Sequence, residues 1–272
     1  MITAVQNIVS HRELIAALAW RNIAVRYKQA YLGIGWAIIK PLTLMLIFSL
    51  LRSIIGIETG EVPYAVLTFA ALLPWLLFQE AASEGVVSVV GNAHLIKKIY
   101  FPREVFPLTA VVTKVLEFAI NCAVLLGMMA WYGIFPGAQA LWVPLLVLYA
   151  VLVALTIAFV GAALNVYYRD VGAALPLALN LMMYASPVIY PLALVQDKLL
   201  DHRAAGEWST ALYTLYTANP LAGLIDAFQR VMLKGLPPDF HAMVPGMVVI
   251  AIALPFSYLA FKRAESWFAD VI

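Results

Sequence analysis

Long apolar stretches separated by short polar segments make up most of the chain from residue 34 onward. A helix needs about 20 apolar residues to cross a bilayer, and six stretches reach or approach that length. They are 34–57, 63–82, 105–134, 141–168, 172–195 and 243–261. The second is expected to continue as a helix into the cytoplasm, and the fifth to be interrupted at Pro176 and at Ser186-Pro187. The pattern predicts an all-α membrane protein with six transmembrane helices.

Two other parts of the chain are helical in pattern but do not fit a spanning helix. Residues 10–31 carry apolar side chains on one side, interrupted by Arg21 and Asn22, which favours an amphipathic helix at the cytoplasmic membrane surface. Two apolar pieces between residues 196 and 242 are too short to cross a bilayer. We expect these pieces, 208–216 and 220–233, to form two re-entrant helices that act as a lid on the outer side.

Composition and charge support this division into an interfacial helix (1–33) and a transmembrane domain (34–272). The chain is 64% hydrophobic and 12% charged, with a mean hydropathy of +0.91, which excludes an ordinary soluble domain. Lys and Arg concentrate on one side of the predicted spans, so both termini are expected to be cytoplasmic. The N-terminal segment lacks an uninterrupted apolar core and therefore does not resemble a cleavable signal peptide.

A polar segment over residues 91–104 stands between the second and third predicted spans. It contains Lys97, Lys98 and Arg103 within a few residues of one another. Short loops rich in lysine and arginine stay on the cytoplasmic side of a membrane. We interpret this segment, called the elbow below, as the part that receives force from a cytoplasmic partner and passes it to the membrane helices.

The chain lacks the sequence signatures of an enzyme. It has no G-x-x-x-x-G-K-[ST] phosphate loop, no G-x-S-x-G motif and no closely spaced histidine pair, and Cys122 is its only cysteine. Acidic residues in the predicted spans are few. Glu80 and Glu84 are expected at the inner boundary, and Lys114 and Glu117 have the i,i+3 spacing of a pair that neutralises itself for structural reasons. An energy supply from a partner is therefore favoured over an ion-driven mechanism.

Several motifs, in this order, resemble the membrane subunit of type-2 ABC exporters that carry lipid-linked polysaccharides such as O antigen or teichoic acid. They are Arg26-Tyr27-Lys28, Leu32-Gly33-Ile34-Gly35-Trp36, Lys40-Pro41, Phe101-Pro102-Arg103-Glu104, Asn165 to Tyr168 with Arg169-Asp170, Ser186-Pro187-Val188-Ile189-Tyr190-Pro191 and Asn219-Pro220-Leu221. The similarity extends from about residue 12 to the end. This chain has Ala30 where the family often has Ser, and Lys40 where Gln is common.

The resemblance implies a homodimer in the inner (cytoplasmic) membrane, bound to two copies of a separate cytoplasmic ATPase. ATP and Mg would then bind the partner, this chain would hold no cofactor, and no nucleic acid is involved. The implied cargo is a lipid-linked glycan that enters from the inner leaflet. The residues expected to contact the ATPase are Leu95, Ile96, Lys97, Lys98, Ile99, Tyr100, Arg103, Glu104, Arg169 and Asp170. Alternatively, Lys97 and Lys98 only mark topology, and Arg169 and Asp170 form a local ion pair.

Two further sets of residues are candidates for substrate contacts. Arg26 and Lys28 could attract a pyrophosphate headgroup or, equally, ordinary anionic membrane lipid. Aromatic rings could line a channel in which a glycan slides, although interface belts and ordinary packing explain single rings as well. The candidate channel rings are Trp36, Phe69, Trp75, Phe78, Tyr184 and Tyr190.

Two other functions stay open at this point. An ABC exporter of a small hydrophobic compound would share the same architecture, but drugs rather than glycolipids would stimulate its ATPase. A membrane-embedded acyl- or glycosyltransferase is the alternative from another class. Such an enzyme should carry clusters of acids or histidines at a membrane boundary, and the sequence shows none.

Overall fold

The computed structural model describes residues 12–28, 33, 35–55, 62–97 and 102–271, and it contains no β-strand within those ranges. The helices are α1 (Arg12–Lys28), α2 (Gly35–Ile55), α3 (Tyr64–Gly91), α4 (Ala93–Ile96), α5 (Val105–Trp131), α6 (Val143–Tyr167), α7 (Asp170–Tyr184), α8 (Leu192–Gln196), α9 (Ser209–Thr217), α10 (Pro220–Gln229), α11 (Phe240–Glu265) and α12 (Phe268–Val271). The all-α prediction is confirmed.

Five helices in the described ranges are long and apolar enough to cross a membrane, which makes this a multi-pass membrane protein. They are α2, α3, α5, α6 with the turn before it, and α11. The remaining predicted span, 172–195, corresponds to α7, an apolar helix of 15 residues that ends at Tyr184. Pro187 and Pro191 follow this end and disfavour a continuous helix. The count of six spanning helices therefore stays a prediction.

Helix α3 is the centre of the bundle. Its side chains are buried almost continuously from Tyr64 to Val89, and it packs against α2, α5, α6, α7 and α10. A helix that is apolar on all sides is suited to such a position. Close approach to α6 depends on small residues, because a Cβ atom added at Gly85 would lie only 2.5 Å from the Cβ atom of Ala158.

Helix α1 packs against α5. Its residues Ile15 and Ala19 are buried and Leu18 is half-buried, whereas Val25, which the sequence pattern placed on the same apolar side, is 70% exposed. The apolar side is therefore shorter than predicted and ends before Val25. The position of α1 at the membrane surface stays a prediction.

The segment 196–242 contains the two short helices that the sequence predicts. Helix α9 covers Ser209–Thr217, and α10 is followed by a wider helical turn over Arg230–Lys234. Helix α10 is part of the core, because a Cβ atom at Gly223 would lie 2.6 Å from the backbone oxygen of Ala242 in α11. The buried Gln229 amide also donates a hydrogen bond to the Leu67 backbone oxygen in α3, at 3.0 Å. Re-entry from the outer face stays a prediction.

Candidate functional site: a charged cavity and a charged joint

A cavity of about 760 Å³ lies between α2, α3, α5 and α7. Such a volume falls within the range of about 300–1,000 Å³ that is usual for small-molecule sites. The cavity is formed where the beginning of α2 meets the second half of α3. Its polar lining consists of Lys40, Gln79, Glu80, Ser83, Glu84, Lys114, Glu117, Asn121 and Asn180.

Lys114 on α5 is the centre of an ion-pair cluster in this cavity, called the cavity cluster below. Its Nζ atom lies 2.8 Å from Glu80 Oε2 and 2.9 Å from Glu84 Oε1, both on α3. The same Nζ atom lies 2.7 Å from Glu117 Oε2, one turn further along α5. A lysine ammonium group has three N–H donors, and here three carboxylates surround it while only 4% of its side chain is exposed.

Lys40 on α2 completes the cavity cluster. Its Nζ atom lies 2.5 Å from Glu80 Oε1, and half of its side chain is exposed. Glu80 therefore bridges the two lysines, one at the open side of the cavity and one buried behind it. The described contacts of the cavity cluster thus join two lysines and three glutamates.

Amide groups extend the polar lining beyond the charges. Gln79 Nε2 donates to Asn180 Oδ1 on α7 at 2.7 Å, and Gln79 Oε1 accepts from Trp75 Nε1 at 3.0 Å. Asn121 Nδ2 donates to the backbone oxygens of Ala37 (3.2 Å) and Glu117 (3.1 Å). Asn121 Oδ1 is buried at the cavity and has no hydrogen-bond partner in the described part of the chain. The cavity wall thus holds an unused acceptor.

Only part of this cluster follows from the sequence analysis. The ion pair between Lys114 and Glu117 is confirmed, whereas the contacts of Glu80 and Glu84 with Lys114, and of Lys40 with Glu80, were not predicted. A usable signal existed, since Glu80 and Glu84 are four residues apart and share one helix face. A lysine buried within a bundle also requires carboxylate partners.

The elbow contains the short helix α4, in which Ile96 is buried, Leu95 is half-buried and Lys97 is exposed. Lys98, Ile99 and Tyr100 lie outside the described residues. Their assignment to an ATPase contact stays a prediction, as does that of Leu95, Ile96 and Lys97.

The end of the elbow is bound to the last long helix through a second set of ion pairs, called the elbow joint below. Glu104 is 1% exposed, accepts a 2.8 Å bond from Lys262 Nζ and lies 3.4 Å from the Tyr258 hydroxyl. Arg103 donates its backbone N–H to Glu265 Oε1 at 3.0 Å and its guanidinium group to the Glu265 backbone oxygen. Both predicted contact residues, Arg103 and Glu104, are thus engaged within the chain, and Glu104 offers no exposed surface to a partner.

Of the other residues predicted to contact a partner or lipid, the structure describes the side chains of one pair and not those of the second. Arg169 and Asp170 have exposed side chains at the start of α7, and no ion pair between the two occurs in the described structure. Arg26 and Lys28 lie on α1, but their side chains fall outside the described residues. Their lipid or headgroup role stays a prediction.

The predicted channel aromatics separate into two groups. Phe69, Trp75 and Phe78 are at most 1% exposed and pack in the core around α3, so they cannot touch a sliding glycan in this arrangement. Trp36, by contrast, is 57% exposed and lines the cavity. The Tyr184 side chain is also exposed, and Tyr190 donates its hydroxyl to the Tyr184 backbone oxygen at 3.2 Å.

Comparison with known proteins gives full-length similarity to one group of transport proteins. The chain is 26% identical to the O-antigen export system permease protein RfbA of Myxococcus xanthus, over the whole of both chains. It is 27% identical to a protein of the same name from Klebsiella pneumoniae, over 93% of this chain and 94% of that protein. The profile of the family described as ABC-2 type transporter matches residues 13–233. This chain therefore belongs to the ABC-2 type transporter family of membrane proteins.

Proposed function

We propose that this chain is the membrane subunit of an ABC exporter that moves O antigen, or a similar lipid-linked surface glycan, out of the cytoplasm. The observation that carries the proposal is the similarity along the full chain to relatives named O-antigen export permeases. The family match over residues 13–233 includes the cavity cluster and the elbow, whereas Lys262 and Glu265 of the elbow joint lie beyond it.

The energy is expected to come from a separate ABC ATPase, because this chain carries no phosphate-binding loop. In this proposal two copies of the ATPase bind two copies of this chain and hold the ATP and Mg. The elbow would receive the movement of the ATPase. Its end is bound to α11 through Glu104 and Lys262, which gives a physical route from the elbow to the last long helix.

The position of the cavity suits entry from the cytoplasmic side of the inner membrane. It lies near the start of α2 and the second half of α3, the ends that the Lys and Arg distribution assigns to the cytoplasm. Leu177 and Leu181 on α7, beside the cavity, are 66% and 65% exposed. An exposed apolar surface of this kind suits contact with lipid or with the second copy of the chain.

Deletion of the gene in its own host tests the function. We expect the glycan to disappear from the cell surface while lipid-linked glycan accumulates inside, as measured by surface labelling and by extraction of the lipid fraction. The wild-type gene should restore surface glycan. Normal surface glycan in the deletion strain would contradict the proposal, and sensitivity to hydrophobic drugs instead would favour the small-compound exporter.

A further inference from the structure

We infer that the cavity binds acetamido sugars of the glycan through a hydrogen-bond donor, the side-chain amide of Asn180, whose direction is fixed by Trp75 and Gln79. This inference rests on the proposed function and adds a substrate class to it, namely sugars that carry the carbonyl oxygen of an N-acetyl group. It depends on a chain of hydrogen bonds that links the core of the bundle to the wall of the cavity.

The hydrogen bond between Trp75 and Gln79 has only one chemically possible direction. An indole Nε1–H group can donate but cannot accept a hydrogen bond, so the Gln79 atom that lies 3.0 Å from Trp75 Nε1 must be the amide oxygen. Gln79 then turns its Nε2 group toward α7, where it donates to Asn180 Oδ1 at 2.7 Å. Because Trp75 is buried in the core, it holds the Gln79 amide in this orientation.

The amide of Asn180 is oriented by the same hydrogen bonds. Its Oδ1 atom accepts from Gln79, so its Nδ2 group faces away from Gln79. The Asn180 side chain is exposed and lines the cavity. In the described part of the chain, its Nδ2 group donates to no other residue. Asn180 therefore offers N–H donors of fixed direction to a ligand in the cavity.

A second donor group is held by the next residue of α3. Glu80 follows Gln79, and its Oε1 atom lies 2.5 Å from the Nζ atom of Lys40. A lysine ammonium group has three N–H donors and no acceptor, and half of the Lys40 side chain is exposed at the cavity. Consecutive residues of α3 thus hold two groups that donate, rather than accept, at this wall of the cavity.

An acetamido group depends on the direction of such donors, whereas a hydroxyl group does not. A sugar hydroxyl can donate and accept, so it can bond to Asn180 in either orientation of the amide. A carbonyl oxygen can only accept, so it binds only where N–H groups face it. The acetamido methyl group also adds apolar area, and Trp36 offers an apolar ring that is 57% exposed at the cavity.

Binding of two neutral tetrasaccharides to the full chain in lipid nanodiscs tests the inference. Cellotetraose and tetra-N-acetylchitotetraose share the same backbone and linkage. They differ only in one substituent on each ring, which is a hydroxyl group in the first and an acetamido group in the second. We expect the acetamido ligand to bind about three- to tenfold more tightly by calorimetry, as one additional hydrogen bond predicts.

Two variants separate the donor from the residue that directs it. Asn180→Asp keeps an acceptor for Gln79 but presents only oxygen atoms to the cavity, so the preference for the acetamido ligand should disappear. Gln79→Glu can still accept from Trp75 but cannot donate to Asn180. The Asn180 amide should then turn its Nδ2 group toward the new carboxylate, and the preference should again disappear. The affinity for cellotetraose should change by less than about twofold in both variants, because hydroxyl groups bond to either orientation.

Asn92→Asp provides the matched control. It makes the same substitution and adds the same charge as Asn180→Asp, but Asn92 lies at the other end of the α3 contacts, where its Oδ1 atom accepts from Arg21. An aspartate can keep that contact, so the preference for the acetamido ligand should be unchanged. Thermal unfolding of all three variants checks that the fold is retained, and if one cavity variant fails to fold, the other still decides the result.

Four results would overturn the inference. The two tetrasaccharides bind equally to the wild type, neither binds, the preference survives in Asn180→Asp or Gln79→Glu, or these variants lose affinity for both tetrasaccharides equally, as a purely structural role predicts. Loss of surface glycan in the deletion strain combined with any of these results leaves the proposed function in place. Unchanged surface glycan in that strain, with the acetamido preference intact, removes the proposed function but not the selectivity of the cavity.

Discussion

The cavity cluster and the elbow joint use the same side-chain chemistry in opposite arrangements. In the cavity cluster the buried ion is a lysine, Lys114, and its carboxylate partners face an open space. In the elbow joint the buried ion is a carboxylate, Glu104, and its partner Lys262 is the more exposed of the two. The first arrangement leaves carboxylate side chains partly exposed at the cavity, whereas the second encloses its charge between two segments of the chain.

This difference separates a surface for a ligand from a connection within the protein. A carboxylate with no exposed surface cannot bind an incoming molecule, but it can hold two distant segments together. Glu104 and Lys262 are 158 positions apart in the chain, so their contact joins the elbow to α11. The cavity cluster also joins helices, yet the side chains of Glu80 and Glu84 are partly exposed and can contact a further molecule.

The largest expected effect is at the buried lysine of the cavity cluster. Lys114→Met should prevent accumulation of folded protein, because it removes the buried cation that Glu80, Glu84 and Glu117 all contact, and breaking a buried pair costs about 3–5 kcal/mol. Fluorescence-detected gel filtration in detergent and thermal unfolding measure this loss. Adding Glu84→Gln and Glu117→Gln to Lys114→Met should recover part of the stability. Wild-type stability in the single variant would show that the cluster does not hold the bundle together.

The next largest effect is expected when a glutamate is replaced by the isosteric glutamine, and this substitution can be compared between the two regions. Glu104→Gln should lower the free energy of unfolding by about 1–3 kcal/mol, because the buried joint loses its charged acceptor. In a reconstituted exporter the same variant should hydrolyse ATP but export less glycan. Glu84→Gln is the matched control and should change stability by less than about 1 kcal/mol, since Lys114 keeps two carboxylates. If Glu104→Gln and Glu84→Gln lowered Tm equally, the elbow joint would not be more important for stability than the cavity cluster.

A smaller effect is expected at the exposed lysine of the cavity cluster. Lys40→Met makes the same substitution as Lys114→Met, but Lys40 is half-exposed and Glu80 keeps its contact with Lys114. We expect a change of about 1 kcal/mol or less, seen as a small shift in Tm. The shift should shrink as salt is added, because salt screens exposed charges. A loss of folded protein as severe as that of Lys114→Met would show that the two lysines are equivalent.

The sequence predicts the helices of this fold better than their mutual rotation. The lengths of α2, α3, α5, α6 and α11 follow from the apolar stretches, and the interruption after α7 follows from Pro187. The interruption predicted at Pro176 was wrong, because α7 continues through that residue. These are local properties, which depend on neighbours in the chain. The contact of Lys114 with Glu117 belongs to the same class, because a spacing of three residues fixes it on one helix.

Contacts between helices could be predicted less well from the sequence, for a physical reason. The first half of helix α3, from Tyr64 to Phe78, is apolar on all sides, so no pattern indicated that Trp75 faces the core. The spacing of Glu80 and Glu84 marks a shared face of α3, but it does not say that Lys114 of α5 lies opposite. Trp36, on α2, could not be told from Trp75 by sequence, although one lines the cavity and the other is buried. Glu104 was read as a residue for an external partner because its own partner, Lys262, lies near the other end of the chain.

The smallest expected effect concerns a carboxylate that belongs to neither region. Burial raises the pKa of Asp226 on α10 above its ordinary value of 3.8, although Arg230 and Lys234 oppose the shift. No lysine or arginine lies within ion-pair distance of it in the described structure. Because the folded state holds this proton more tightly than the unfolded state, the ionised carboxylate destabilises the fold above its folded pKa. The penalty shrinks as the pH falls through that value and is gone below about 3.8.

Replacing this carboxylate with an amide removes the penalty and provides the contrast with the paired carboxylates. Asp226→Asn should raise Tm by a few degrees at neutral pH, and the gain over the wild type should shrink steadily as the pH is lowered. Glu104→Gln measured over the same pH series should show the opposite sign at neutral pH, because its carboxylate is stabilised by Lys262. A lower Tm for Asp226→Asn at neutral pH would mean that Asp226, like Glu104, depends on its charge.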